Sequence, residues 1–302
     1  MPEETAVADA SCDPQWRAVG ASVRGASHRR GGMPNQDALL WLPTSGRGAS
    51  MVLAVSDGHG SAMSFRSQIG AHLAVSCAIP LIQSLIADES SVIQLSAVKD
   101  ISEARLPVEI VREWQASVDT HLAEHPLTED ELTKLEEAMG EQARDEVESQ
   151  GRLAYGATLL AVLVTPAYLL FIQLGDGDIL TVTRKGVVSR PVPADSRLFA
   201  NETTSLCRDE AWADFRTRLM PCYGEMPVMI MASTDGYSNS FADDSGFLEV
   251  GRDLLEILRE QGIAPIESNL ESWLQEASED GSGDDITVGL LYTSEIDYRS
   301  GL

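Results

Sequence analysis

Three apolar stretches of this 302-residue chain end in the same way. Residues 52–56 run into Asp57-Gly58, 169–175 into Asp176-Gly177 and 228–234 into Asp235-Gly236, and a further acidic pair, Asp284-Asp285, opens the last apolar run. A carboxylate at the end of a buried strand is held rigidly and partly desolvated, which is unfavourable for a lone anion but favourable when several share a divalent cation. Oxygen donors of this kind suit Mg²⁺ or Mn²⁺ better than zinc, which would want His or Cys. Asp-Gly is also a common turn signal. For Asp176-Gly177, with strand character on both sides, a hairpin explains the pair as well as a metal does. For Asp57 and Asp235 it explains less, because helical patterns follow them and leave the hairpin without a second strand.

The tetrapeptide Asp57-Gly58-His59-Gly60 carries the most chemical information. It offers a carboxylate, a glycine that bares its carbonyl, and an imidazole that its flanking glycines keep from packing into a core. Beside a probable ligand, such a histidine suits a general acid that protonates a leaving alkoxide. Thr158 reads as a packing and hydrogen-bonding residue, and Trp114 and Trp273 as core anchors.

The elements that must position these residues can be read along the chain. Residues 16–23, 38–42 and 51–55 are short apolar or alternating runs bounded by Gly, Pro or Ser, and are expected to be strands. Phe65, Ile69, Leu73 and Cys77 recur every four residues and define a helix that Pro80 should disturb. Residues 108–149 turn helical and acidic, and a second helix starts at Thr128, where Thr128 and Glu131 form a capping box and Leu127 and Leu132 a hydrophobic staple. Strands are expected again at 156–164, 168–174 and 179–183, most naturally as an antiparallel meander. Residues 190–226 read as an irregular loop or flap layer, followed by a strand at 228–232, helices near 247–261 and 266–277, and a last strand at 286–292. One catalytic domain over 15–294 is expected, with a flexible segment at 1–14 and a tail at 295–302. Sheets with helices outside them form the natural architecture.

The net charge of −25 opposes docking on nucleic acid or anionic lipid, both of which reward clustered Lys and Arg. Most of the acid is a solvated surface, the 108–149 segment included. The four cysteines, Cys12, Cys77, Cys207 and Cys222, form no CxxC pair, so reduced thiols are expected. Residues 1–13 lack a basic start followed by an apolar stretch, and no apolar run is long enough to span a membrane. Together these features predict a cytoplasmic protein.

In this order the motifs Asn35-Gln36-Asp37, Asp57-Gly58-His59-Gly60, Gly156-Ala157-Thr158, Gly175-Asp176-Gly177, Ser233-Thr234-Asp235-Gly236 and Asp284-Asp285-Ile286-Thr287-Val288 resemble those of the PPM (type 2C) family of metal-dependent Ser/Thr protein phosphatases, in its bacterial form. The resemblance implies an α+β fold, a four-layer α-β-β-α sandwich of two mostly antiparallel sheets flanked by helices. It implies two Mg²⁺ or Mn²⁺ ions, and a third, looser one. Asp57 would bridge the two metals, the Gly58 carbonyl would complete the second, and Asp235 and Asp284 would hold the first. Asp37, with Gln36 beside it, would act from the outer sphere to orient water, and Asp176 with Asp235 would hold the third ion. Water activated between the metals would attack phosphoserine or phosphothreonine directly, with no phosphoenzyme. The implied partners are phosphoprotein substrates and a cognate Ser/Thr kinase, with the enzyme itself a monomer.

Three departures from the family pattern stand out. Gln36 replaces the usual Glu, Asp285 replaces the usual Asn, and Gly32 stands where an Arg normally clamps the phosphate, leaving His28, Arg29 and Arg30 just upstream as candidates for that task. Two rival readings remain. A haloacid-dehalogenase-type phosphatase would use Asp176-Gly177-Asp178, but leaves Asp57-Gly58-His59-Gly60 unexplained. A catalytically silent phosphoprotein-binding module would have no need of three converging carboxylates.

Overall fold

A computed structural model of the chain describes residues 15–86, 94–193, 204–294 and 296. The segment expected to be flexible at 1–14 lies outside the described residues, as does the tail at 295–302 apart from Ile296. In chain order the elements are β1 (Trp16–Val23), α1 (Ala26–Gly31), β2 (Ala38–Leu42), β3 (Arg47–Gly48), β4 (Met51–Ser56) and α2 (Ser67–Gln83). A helical layer follows: α3 (Leu95–Asp100), α4 (Leu106–Glu124), α5 (Glu129–Met139) and α6 (Glu141–Ser149). Then come β5 (Leu159–Val164), β6 (Tyr168–Leu174), β7 (Asp178–Thr183), β8 (Val188–Ser189), β9 (Arg216–Pro221) and β10 (Pro227–Ser233). The chain closes with α7 (Asp235–Ser238), α8 (Asp244–Gln261), α9 (Ala264–Asp280) and β11 (Ile286–Thr293).

The strands form two sheets, ordered β3-β1-β11-β10-β7-β8 and β2-β4-β5-β6-β9, and every pairing is antiparallel. Strands β4, β5, β6, β10 and β11 are buried at every position, so they read as unbroken apolar runs rather than alternating ones. Three apolar layers account for this burial. One lies between the sheets, around Leu53, Val162, Phe171 and Ile230. A second joins the β4-β5-β6 sheet to α2 and α4, and a third joins the β1-β11-β10 sheet to α8 and α9. This is the expected α-β-β-α sandwich.

Helix α2 starts directly below the Asp57 loop. Its deeply buried face is Gly70, Ala71, Ala74, Val75, Ala78, Ile79 and Ile82, whereas Ile69, Leu73 and Cys77, expected to form that face, are only half-buried. Small residues win because the helix sits so close to its neighbours: a Cβ at Gly70 would lie 1.8 Å from the Tyr155 carbonyl oxygen. That carbonyl-side approach is sealed by Trp114, whose Nε1 donates to the Gly70 carbonyl at 2.9 Å. The helix also runs through Pro80 to Gln83, so the proline sits in its last turn instead of stopping it.

Three other expectations are corrected. Strand β7 does not continue a meander from β6. It pairs with β10 in the other sheet, and the Asp176-Gly177 turn is the crossover between sheets. A turn signal is the same whether the next strand folds back or crosses over, and the partner that decides it lies some fifty residues later. Within 190–226, residues 216–221 form β9, the edge strand beside β6. Its arginines and terminal proline disguise it locally, and an edge strand tolerates both. The acidic 108–149 segment is three helices rather than two, because Gly140, at φ +91°, breaks the second.

The capping box at Thr128 and Glu131 is present in both directions. Its glutamate has a second task. Arg66, nearly buried just before α2, bonds Glu131 through Nε at 2.7 Å and Nη2 at 2.8 Å, and also donates to the His125 and Pro126 carbonyls and the Tyr155 hydroxyl. These bonds hold the Glu131 carboxyl down to about 2, with the Arg66 hydrogen bonds the largest cause. A depressed folded-state pKa stabilises above the unfolded value, and that stability is lost as pH falls from about 4.5 through about 2. Because Glu131 is partly exposed, screening reduces the pair's worth to about 1–2 kcal/mol. Glu131→Gln should lower stability by that amount at pH 7 and by little at pH 2 in denaturant titrations; an equal loss at both would contradict the assignment.

Candidate active site

Four loops meet at one end of the sandwich. The backbone of Ser56-Asp57-Gly58-His59 lies along 156–158 as a short extra ladder. Thr158 N–H donates to the Asp57 carbonyl at 2.8 Å, Asp57 N–H to Thr158 Oγ1 at 3.0 Å, and His59 N–H to the Gly156 carbonyl at 3.0 Å. Gly58 and Ala157 form a β-bridge, and Ser56 Oγ donates to the Thr158 carbonyl at 2.6 Å. Thr158 is thus the hydrogen-bonding residue its type suggested. Gly58 is required by close approach: a Cβ there would lie 2.5 Å from the Gln36 carbonyl oxygen and 2.8 Å from that of Ser67.

Five aspartates surround this ladder. Asp37, on the residue before β2, is 4% exposed; Thr234 Oγ1 donates to its Oδ2 at 2.9 Å, while its buried Oδ1 has no partner. Burial raises its carboxyl well above the ordinary range, and the charges of Asp285 and Asp284 add to this against hydrogen bonds from Thr287 and Thr234. Asp57 is raised well above normal by burial first, then by the charges of Asp37 and Asp235. Asp235, the first residue of α7, is raised by burial and by Asp176 and Asp284, and it shares a hydrogen bond with Asp57. Asp284 is exposed, and Asp176 is half-buried and interacts electrostatically with His59 and with Asp235.

The donor set therefore fits hard cations in its chemistry: it is all oxygen, partly dry and crowded with like charge. Among the described residues, however, no three His, Cys, Asp or Glu side chains are grouped tightly enough to clasp one ion, and Asp57 and Asp235 meet as a pair.

The His59 ring leans on Gly156, where a Cβ would approach its Cδ2 to 2.6 Å. Burial lowers its pKa, Asp176 opposes this, and Arg208 adds to it. Buried Gln36 donates through Nε2 to Ser67 Oγ at 2.7 Å, and its Oε1 has no partner.

Asp285, buried and one residue from the rim, accepts from Gly25 N–H and Gln36 N–H, both at 2.6 Å, and its Oδ2 lies 2.8 Å from His28 Nδ1. The acidic residue in place of Asn thus ties three segments together. Of the three proposed phosphate-binding residues, His28 is brought to the site, with Nε2 3.6 Å from Asp284 Oδ1. Arg29 is turned to Glu279 at 2.7 Å and to the Arg24 carbonyl, and Arg30 is exposed at the end of α1. Sequence reasoning missed the hydroxyls of Thr234 and Thr287 and the tie made by Asp285; a Ser-Thr pair before an Asp-Gly and a Thr after Asp-Asp-Ile carry no signal of their own.

The chain belongs to the protein phosphatase 2C family, the metal-dependent protein-serine/threonine phosphatases, whose family model matches residues 24–275. The matched span includes Asp37, Asp57, Asp176 and Asp235 and ends before Asp284 and Asp285. Among solved structures, the serine/threonine phosphatase PstP/Ppp of Mycobacterium tuberculosis is 17% identical, with a TM-score of 0.55 over 92% of this chain and 98% of that one. The catalytic domain of PstP in complex with two manganese ions is 18% identical, with a TM-score of 0.54 over 93% and 99%. PppA, a regulatory component of T6SS in Pseudomonas aeruginosa, is 16% identical, with a TM-score of 0.52 over 92% and 97%. At these identities the likeness bears on the fold. No curated protein matches the sequence. The two rival readings, a haloacid-dehalogenase-type enzyme and a silent binding module, gain no support from fold or family.

Thr158→Val removes the acceptor for the Asp57 N–H while keeping the side chain's shape. It should lower stability by about 1–3 kcal/mol, read from denaturant midpoints, and should reduce activity further than the stability loss explains. A variant as stable and active as the parent would show that the ladder, not the hydroxyl, fixes Asp57.

Proposed function

We propose that this chain removes phosphate from phosphoserine and phosphothreonine in proteins, using Mg²⁺ or Mn²⁺ held by Asp57, the Gly58 carbonyl, Asp235 and Asp284, with Asp176 and Asp235 holding a third ion. The observation that carries the reading is the convergence of Asp37, Asp57 and Asp235 in a buried cluster where burial first, and then the charge of neighbouring aspartates, raises the pKa of each. Nothing among their described partners neutralises that charge, so divalent cations would relieve it. When bound, such ions would offset phosphoryl charge and make water acidic enough to attack near neutral pH.

The chain's own residues do the rest. Asp37, locked by Thr234 and carrying a free buried oxygen, orients water toward the phosphorus from outside the ligand set, with Gln36 completing that outer shell. His59, held by its backbone to Gly156 and within electrostatic reach of Asp176, carries the proton for the leaving serine or threonine alkoxide. No side chain forms a covalent intermediate. The same proposal extends to a cytoplasmic monomer that opposes a Ser/Thr kinase. The location rests on composition and the kinase on the family; separately, among the described residues no helix is long and apolar enough to cross a membrane.

The test is hydrolysis of p-nitrophenyl phosphate with Mn²⁺ added and then removed by chelation. Turnover should require the metal, and Asp57→Asn should lower it by about a thousandfold. Turnover that survives chelation, or an active Asp57→Asn chain, would overturn the metal reading. His59→Ala should slow a phosphothreonine peptide about a hundredfold and p-nitrophenyl phosphate much less, since a good leaving group needs no proton. Equal losses on both substrates would remove His59 from the role of acid.

A further inference from the structure

At the end of the sandwich away from the aspartates, the two sheets part around a cavity of about 560 Å³. The strands lead from one end to the other. β10 begins at the cavity with Pro227 and Val228 and ends at Ser233, two residues before Asp235. β11 begins after Asp284 and Asp285 and ends at the cavity with Thr293. The Thr165-Pro166 turn between β5 and β6 and the Arg184-Lys185 turn after β7 border the same opening. At about 3.3 Å per residue, the length of β10 sets the cavity about 20 Å from the aspartate cluster.

Its walls belong to the apolar layer between the sheets, since Trp16, Cys222 and Met226 line it and pack in that layer. One polar atom there is left unused. Thr293 is 4% exposed and shares the intersheet face of β11 with Leu291, and its Oγ1 is buried without a partner. The other hydroxyl of the lining is spent: Thr165 Oγ1 accepts from Tyr168 N–H at 2.9 Å and donates to the Tyr168 carbonyl at 2.8 Å. A buried hydroxyl without a partner is unfavourable until a bound group completes it. The charge at the opening is positive, with Arg184 and Lys185 against Glu225, and Arg259 of α8 donates to the Arg184 carbonyl. The Lys185–Glu225 pair, 3.1 Å long, is exposed on both sides, and such a pair gives up its partner at little cost. In a chain of net charge −25, such a local excess of cations favours an anion.

We propose that this cavity is a second binding site, separate from the aspartate cluster, for a small aromatic anion. Its ring system lies against Trp16, Cys222 and Met226, a polar group meets Thr293 Oγ1, and a carboxylate or sulfonate is received by Arg184 and Lys185. The size and make-up are those of small-molecule sites, which combine apolar walls with a few placed polar groups. An indole and two sulfur side chains favour an aromatic body, because sulfur and ring edges attract aromatic faces. A bare inorganic anion would leave those walls uncovered. The site stands independently of the phosphatase reading.

Anilinonaphthalene sulfonate has the required parts, an aromatic body, an N–H and a sulfonate, and serves as the probe. The full-length wild type is titrated with it by calorimetry beside Met226→Trp, which fills the cavity, Lys185→Glu, which reverses the charge at the opening, and Thr293→Val, which keeps the shape without the hydroxyl. Lys134→Glu makes the same charge change on the exposed face of α5 and is the control. The wild type should bind one probe per chain with a Kd of about 10–100 μM. Met226→Trp and Lys185→Glu should each raise that Kd about tenfold or more, and Thr293→Val about threefold to tenfold, while Lys134→Glu and added inorganic phosphate leave it unchanged. Lys185 is exposed, so its variant decides the matter even if Met226→Trp fails to fold, and melting temperatures report which chains are folded. The proposal is overturned by a wild type without one-to-one binding, by displacement of the probe with phosphate, by a Kd within about twofold of wild type in folded Met226→Trp or Lys185→Glu, or by an equal loss in Lys134→Glu.

Discussion

Like charge brought together in a partly dry place is the constraint on which the rest of this structure depends. Asp37, Asp57 and Asp235 are all raised in pKa, with burial the largest cause and the charges of neighbouring aspartates adding to it. Isolated carboxylates would leave such a place for water. They stay because β4, β10 and β11 are buried strands whose ends cannot move without opening the apolar layers behind them. Hydroxyl donors from Thr234 and Thr287 and the amide of Asn239 offset part of the repulsion. The remainder makes the cluster a seat for cations.

The backbone around the cluster is as constrained as the side chains. Gly58 and Gly236 occupy points where a Cβ would run into carbonyl oxygens, of Gln36 in one case and of Asp285 in the other. Each glycine therefore lets one motif loop pass against another and bring its aspartate inward. Asp285 works from below, holding the Gly25 and Gln36 amides with one carboxylate and setting His28 beside the rim. The carboxylate at 285 is thus a three-way tie.

Cation placement follows a similar economy. In a chain with net charge −25, the arginines near the site are spent as structural ties: Arg66 joins the start of α2 to the cap of α5, and Arg190 joins β7 to α8. Such ties keep the helical layers in register with the sheets whose ends carry the aspartates. An acidic protein can still act on an anionic substrate when its positive charge comes from bound metal.

Local patterns in the sequence determined most of the elements. Apolar runs ending in Asp-Gly marked β4 and β10, Thr128 and Glu131 marked the start of α5, and six short motifs in order marked the family. These are readable because strand burial, capping and tight turns depend on neighbours a few residues away. Only the tertiary structure decided which strands share a sheet. It alone sent β7 across to β10, made Asp176-Gly177 a crossover rather than a hairpin, and recruited 216–221 as an edge strand. It also decided that Arg29 faces Glu279 while Asp285 gathers Gly25, Gln36 and His28. Those outcomes rest on partners tens to hundreds of residues apart in the chain, and no local spacing records where a folded backbone will bring them.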